Sequence, residues 1–328
     1  MELAKHLNPK LFETSIEQLP NRNGYGDGLL EAGEKNKQIV ALCGDLTAST
    51  RTHLFGEAFP ERFVQCGIAE QNMASVASGM AAMGKIPFIA SYAMFSPGRS
   101  WEQVRTTIAY NNSNVKIIGA HAGVSVGPDG ATHQAIEDVA IMRMIPRMVV
   151  IAPCDAHEAK KAVLWAAEYK GPVYIRLARE NTPVVTTADS PFVFGKGEVY
   201  MHPQADAPKK VAIVASGILM HNALKAGKTL NESGVGTTVV AMPTIKPLDT
   251  ALLDQLSSEY EMIVTVEEHQ RAGGLGGAVS EHVSENNPIR VVKVGVDDSF
   301  GQSGNIDELF IHFGMDAEGI VRRVQEFL

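Results

Sequence analysis

At 328 residues the chain is long enough for two domains of ordinary size, each with its own core. Hydrophobic residues make up 45% and charged residues 20%, the balance of a soluble globular protein, and a formal net charge of -8 excludes a general attraction to nucleic acid or anionic membranes. Any phosphate must therefore be met by local arginines, histidines and backbone amides. Cys43, Cys66 and Cys154 are odd in number and far apart, which argues for free thiols in a reducing compartment rather than a disulfide framework. The opening MELAKHLNPK has no apolar core of signal-peptide length, and no apolar run reaches the roughly 18 residues of a membrane span. The expectation is a cytoplasmic protein.

Strands and helices alternate along the chain, which predicts parallel sheets flanked by helices. A helix is expected over Gly28 to Asn36, then the strand KQIVALCGD, ending at Asp45. FVQCGIAEQ leads into a helix from Glu70 to Met83. The strand KIPFIASY and a helix from Trp101 to Tyr110 follow. NVKIIGAHAG is a strand that meets a glycine-rich loop, Gly123 to Gly130. MVVIAPCD, a helix from His157 to Tyr169, and GPVYIRLAR complete a first α/β domain, placed at residues 1–188. Residues 189–209 are expected to form an extended linker with a hairpin, since the text is polar and proline-bearing. A second α/β domain at 210–328 follows: KVAIVASG, a helix from His221 to Ser233, GTTVVAMPTIKPL, EMIVTVEEH, a glycine-rich turn AGGLGG, IRVVKVGV and two closing helices.

In parallel sheets, sites form beyond the carboxyl ends of strands. Asp45, Glu70, Tyr92, the stretch His121 to His133, and Arg179 all fall at such places in the first domain. Glu70 opens a small-residue-rich helix. It is either a carboxylate serving the helix dipole or a buried carboxyl of raised pKa that shares a proton with a ligand nitrogen. Tyr92, Phe95 and Trp101 are either core or a platform for a flat heteroaromatic ring. In HAGVSVGPDGATHQAIED, the pairing of His121, Asp129 and His133 with glycines favours recognition of anions and hydroxyls over a metal, because the spacing fits no zinc pattern. Arg22, before a helix, and Arg176 and Arg179, at a strand end, are candidates for a bidentate phosphate clamp. Gly26-Asp27-Gly28 and Gly44-Asp45-Leu46 are read as chance matches to a diphosphate motif, and AGGLGG as a generic turn.

GDLTAST, GIAEQN, SYAMF, DGATHQ and LAREN, in this order, resemble the pyrimidine-binding domain of transketolases. TVEEHQRAGGLGG and GVDDSFGQSGN resemble their C-terminal domain. The resemblance spans nearly the whole chain, and it implies the thiamine diphosphate-binding fold of the pyrimidine type followed by the C-terminal domain. It further implies a transferase that moves a two-carbon ketol unit from a ketose phosphate to an aldose phosphate. Thiamine diphosphate would be shared with an N-terminal transketolase subunit, whose diphosphate site holds Mg2+ or Ca2+, and the resemblance implies an α2β2 complex. By the same resemblance Glu70 meets the aminopyrimidine ring and promotes its imino tautomer, while Tyr92 and Phe95 pack around that ring. A third aromatic expected soon after is replaced near Ser96 to Gly98. Asp45 lies beside the thiazolium. His133 handles the substrate oxygen, and Asp129 reads a hydroxyl. Arg22, Ser49, His121 and Arg179 hold the sugar phosphate. His121 stands where transketolases carry histidine and deoxyxylulose-phosphate synthases look to carry arginine. Alternatives are such a synthase, the β chain of a 2-oxoacid dehydrogenase, and a scaffold protein without activity.

Overall fold

A computed structural model describes residues 1–203 and 207–328 of the protein. Short apolar runs rich in β-branched residues become central strands, because parallel strands are buried on both faces. The first sheet has seven strands, in the spatial order Thr244–Lys246, Val149–Ile151, Val173–Arg176, Lys116–Ala120, Ile86–Tyr92, Ile39–Cys43 and Phe63–Gln65. All neighbours are parallel except Thr244–Lys246, which runs antiparallel to Val149–Ile151. The second sheet has six, in the order Glu2–Leu3, Glu198–His202, Val235–Ala241, Lys209–Ala215, Met262–Gln270 and Arg290–Val296. Its last four strands are parallel. The two-sheet α/β architecture agrees with the sequence reading.

The two sheets exchange edges. Glu2–Leu3, from the start of the chain, pairs antiparallel with Glu198–His202 in the second sheet, and Thr244–Lys246 crosses to the first. The stretch expected to be a linker with a hairpin contributes the strand Glu198–His202, which pairs with distant strands on both sides and, among the described residues, forms no hairpin. Residues 204–206 of that stretch lie outside the described residues. No helix among the described residues is long and apolar enough to cross a membrane.

Helix ends follow local chemistry. Asp155 accepts a hydrogen bond from the Glu158 amide at 2.9 Å and so starts the helix Ala156–Glu168. Ala159, Ala162, Val163 and Ala166 then fall on one face at helical spacing and are fully buried. That helix packs against Asn21–Lys35, which begins seven residues earlier than expected. Glycines in and next to the extension allow close contact: a Cβ on Gly24 would lie 1.9 Å from the Ala156 carbonyl oxygen, and one on Gly28 would lie 3.0 Å from Cβ of Val163. Gly26-Asp27-Gly28 is thus helix, not a phosphate-binding turn. Gly24→Ala should gain about 1 kcal/mol in helix propensity but lose more to the backbone clash. A net loss of about 1–3 kcal/mol is expected in urea denaturation; wild-type stability would refute the close packing.

The helix expected from Trp101 to Tyr110 is α-helical only over Trp101–Gln103 and widens to a π-helix at Val104–Ala109. Thr106 and Thr107 donate their hydroxyls to the carbonyls of Glu102 and Gln103, at 2.9 and 2.6 Å, competing with the regular ladder.

Candidate active site

Strand register brings the candidate residues to one edge of the first sheet. Cys43 pairs with both Gln65 and Ala90, and Tyr92 pairs with Ala120. The segments that follow, starting at Gly44, Ala93 and His121, therefore leave the sheet side by side. Gly44 lies against Glu70: a Cβ there would meet Cγ of Glu70 and Oγ of Ser91 at 3.4 Å.

Glu70 is fully buried at the first turn of the helix Glu70–Ala82. Among the described residues its partners are side chains of other segments and not amides of its own helix. Arg99 donates from Nη1 to Oε2 at 2.6 Å, and Ser91 donates from Oγ to Oε1 at 3.3 Å. Sequence reasoning missed both. The visible trace of Arg99 is the turn SPGR: a Cβ on Gly98 would lie 2.1 Å from the Met94 carbonyl oxygen, so glycine lets the chain fold back and return Arg99 to Glu70. The Arg99 guanidinium also lies 4.8 Å from the centre of the Phe95 ring.

The aromatic candidates form a cluster that meets Arg99 through Phe95. Tyr92 stacks on His121 with ring centres 3.8 Å apart, and Phe95 meets His133 edge-on at 5.5 Å. Tyr92 and Phe95 are nearly parallel, with centres 6.0 Å apart. Trp101 instead belongs to the fold, donating its indole N–H to the Ile141 carbonyl at 3.0 Å.

His121 joins the aromatic group to the basic one. It adopts a φ of +53° and is almost fully buried. Burial, and then the nearby Arg22, Arg179 and His133, push its pKa down to about 3, so the ring is neutral at neutral pH. Its Nε2 lies 3.3 Å from Nη1 of Arg22, while Nδ1 has no hydrogen-bond partner among the described residues. Arg22 donates to the Ser49 carbonyl at 2.7 Å, so Ser49 contributes its backbone here, and Nε of Arg22 is buried without a partner among the described residues. Arg51, also missed by sequence reasoning, adds positive charge near Arg22 and is held by Asn23 at 2.7 Å. Arg179 donates to the Val126 carbonyl at 2.9 Å and pairs with Asp129 at 3.3 Å. The result is a group of arginines around a neutral imidazole, with buried donors left over, which suits a polyoxygen anion.

Two candidates lie apart from these contacts. The exposed Asp45 adjoins Gly44, but its one described hydrogen bond is from its amide to Gln65 at 2.9 Å. Arg176 is not a phosphate clamp. It is 7% exposed, donates from Nε to both Asp138 oxygens at 3.2 and 2.9 Å, and is built into the fold. The AGGLGG turn is already filled by protein: Glu267 accepts the Leu275 and Gly276 amides at 2.7 and 2.8 Å, capping the helix that follows.

Residues 17–185 match the family model for the transketolase pyrimidine-binding domain, and residues 203–320 match that for the transketolase C-terminal domain. The chain belongs to the transketolase family. It is 44% identical to a putative transketolase C-terminal section from Methanocaldococcus jannaschii, over 93% of this chain and 95% of that one. It is 39% identical to one chain of the apulose-4-phosphate transketolase of Phocaeicola vulgatus, over 94% of this chain and 97% of that one. A solved structure described as a split-gene transketolase, an inactive β4 tetramer, superposes with a TM-score of 0.84 at 44% identity, covering 94% of this chain and 97% of that chain. The transketolase fold expected from the sequence is therefore shown.

The transketolase family implies thiamine diphosphate. The ring end of that cofactor fits this chain, because the fully buried carboxyl of Glu70 is joined through Arg99 to the ring of Phe95, and the Oγ atoms of Ser96 and Ser100, in the same segment, are buried and unpartnered among the described residues.

Proposed function

We propose that this chain is the C-terminal subunit of a split transketolase that transfers a two-carbon ketol unit between sugar phosphates. The observation that carries this reading is the buried Glu70 carboxyl, whose partner Arg99 also lies over the Phe95 ring of the Tyr92 and Phe95 pair, in a member of the transketolase family. When bound, thiamine diphosphate supplies a nucleophilic carbon that accepts and releases the ketol group. Glu70, Tyr92 and Phe95 would hold its ring, with Asp45 at the side. Arg99 now occupies an oxygen of Glu70, so ring and guanidinium compete for one carboxylate, and Arg99 is the group that must turn aside.

The rest of the cluster would serve substrate. Arg22, His121 and Arg179, with the Ser49 backbone, would hold the sugar phosphate; Asp129 would read a hydroxyl. His133 would orient or protonate the substrate oxygen, an assignment its position on the Phe95 edge supports. An N-terminal subunit would hold the diphosphate through Mg2+ or Ca2+, in an α2β2 complex. The helix Glu70–Ala82 supports such docking. It buries Met73, Ala74 and Ala77 on one side and exposes Gln71, Ser75, Gly79 and Ala82 on the other, between exposed Ile68 and Met83. That a related split-gene chain is described as an inactive β4 tetramer fits a requirement for a second kind of chain.

Mixing this chain with its N-terminal partner, thiamine diphosphate and Mg2+ should convert xylulose 5-phosphate plus ribose 5-phosphate, with no turnover from either chain alone. Full turnover by this chain alone would refute the split assignment. An active complex that ignores these pentose phosphates but accepts modified or sulfonated sugars would keep the ketol transfer and replace the substrates.

A further inference from the structure

A buried side chain of the second domain reaches the candidate substrate loop at its start. Glu268, in the strand Met262–Gln270, is 2% exposed, and its Oε1 accepts the backbone N–H of Ser125 in a short contact. The same carboxyl group forces glycine at position 123, where φ is +86° and a Cβ would lie 2.2 Å from Cδ of Glu268. Arg176 braces the contact from below: its Nη1 lies 3.8 Å from Oε2 of Glu268, and its Nη2 donates to the Glu268 carbonyl at 2.7 Å and the Ala135 carbonyl at 3.3 Å.

The anchored loop is the one that carries the proposed substrate residues. One residue beyond Ser125, the Val126 carbonyl accepts from Arg179, which pairs with Asp129. Gln134 supplies the other brace, donating to the Val124 carbonyl at 2.9 Å and to the Gln302 carbonyl of the second domain at 2.9 Å. Between and beyond these braces, Gly127 and Gly130 take φ of +76° and +73°, where the backbone has most freedom. A carboxylate bonded to a backbone amide is a strong, directional tie in a buried setting.

We propose that Glu268 is a positioning residue through which the second domain sets the shape of the 123–130 loop, and with it the placement of Asp129 and Arg179 toward the sugar phosphate. This rests on the ketol-transfer reading for the identity of the ligand, but not for the loop contact itself.

The test uses the complete two-subunit complex with thiamine diphosphate and Mg2+. Glu268→Asp keeps a charge facing Arg176 but withdraws it by one methylene from the Ser125 amide. It should raise KM for the sugar phosphate about tenfold or more while cofactor affinity stays within twofold. Glu268→Gln keeps both length and an acceptor oxygen, and should restore KM to within about threefold of wild type. In hydrogen–deuterium exchange, the 124–130 amides should exchange at least tenfold faster in Glu268→Asp, with the flanking strands unchanged. Wild-type exchange in the loop, or equal defects in Asp and Gln variants spread across KM, kcat and cofactor affinity, would overturn the proposal. If the wild-type complex transfers no ketol unit, the functional reading falls, and the exchange comparison still decides the role of Glu268.

Discussion

Glu70→Gln in the reconstituted complex is expected to lower kcat roughly a thousandfold, within the range typical of a lost acid–base partner. The replacement is close to isosteric, and the amide oxygen can still accept from Arg99 or Ser91, which now bond the two carboxylate oxygens at 2.6 and 3.3 Å. The site should therefore keep its shape while losing the charge and the proton-sharing capacity that a ring nitrogen would use. Cofactor affinity should fall much less than kcat, since Tyr92 and Phe95 remain to pack against the ring. A scaffold protein would tolerate the change, so turnover within threefold of wild type would exclude the assigned role. Steady-state kinetics with a parallel cofactor titration separates these outcomes.

The parallel α/β layout was legible because each central strand is a short, nearly continuous apolar run, as in Ile39–Cys43 and Val149–Ile151. The proposed site was legible at its strand ends, and the motif order around Glu70, Asp129 and His133 pointed to the family. What pattern reading lost was long-range pairing. Glu2–Leu3 and Thr244–Lys246 are two and three residues long, too short to show a period, and each acquires strand geometry only from a partner far along the chain. Arg99 and Ser91 were hidden for a similar reason. The turn SPGR marks a reversal at Gly98, but nothing local says that it returns Arg99 to a carboxyl group 29 positions back along the chain. Arg176 and Arg179 show the limit most sharply. Three residues apart at one strand end, they look alike in sequence, yet Arg176 points into the fold toward Asp138 and Glu268 while Arg179 pairs with Asp129 of the 123–130 loop.

That difference makes Arg176→Met the second large prediction, and its effect should be on stability. Removing the guanidinium leaves Asp138 and Glu268 buried without their cation, an arrangement that costs about 3–5 kcal/mol when one partner of a buried pair is deleted. Tyr174 still donates to Asp138 at 2.7 Å, which softens the loss at that carboxylate but offers nothing to Glu268. Burial pushes the Glu268 carboxyl up to about 7 even though Arg176 and the Ser125 amide pull it down, and Arg176 itself is held above its usual range by Asp138 and Glu268 despite burial. Without Arg176 the folded-state pKa of Glu268 must rise further. A carboxyl whose folded pKa exceeds its unfolded value of about 4.5 binds more protons when folded, so its charge penalises the fold increasingly as pH rises through this window. The defect of Arg176→Met should thus be largest at pH 8 and shrink by pH 5.5, where Glu268 can take up a proton and no longer needs a cation. Urea denaturation at the two pH values measures this. A variant with wild-type stability at pH 8, or one equally destabilised at both, would show that Arg176 does not serve as the buried counter-charge of Glu268.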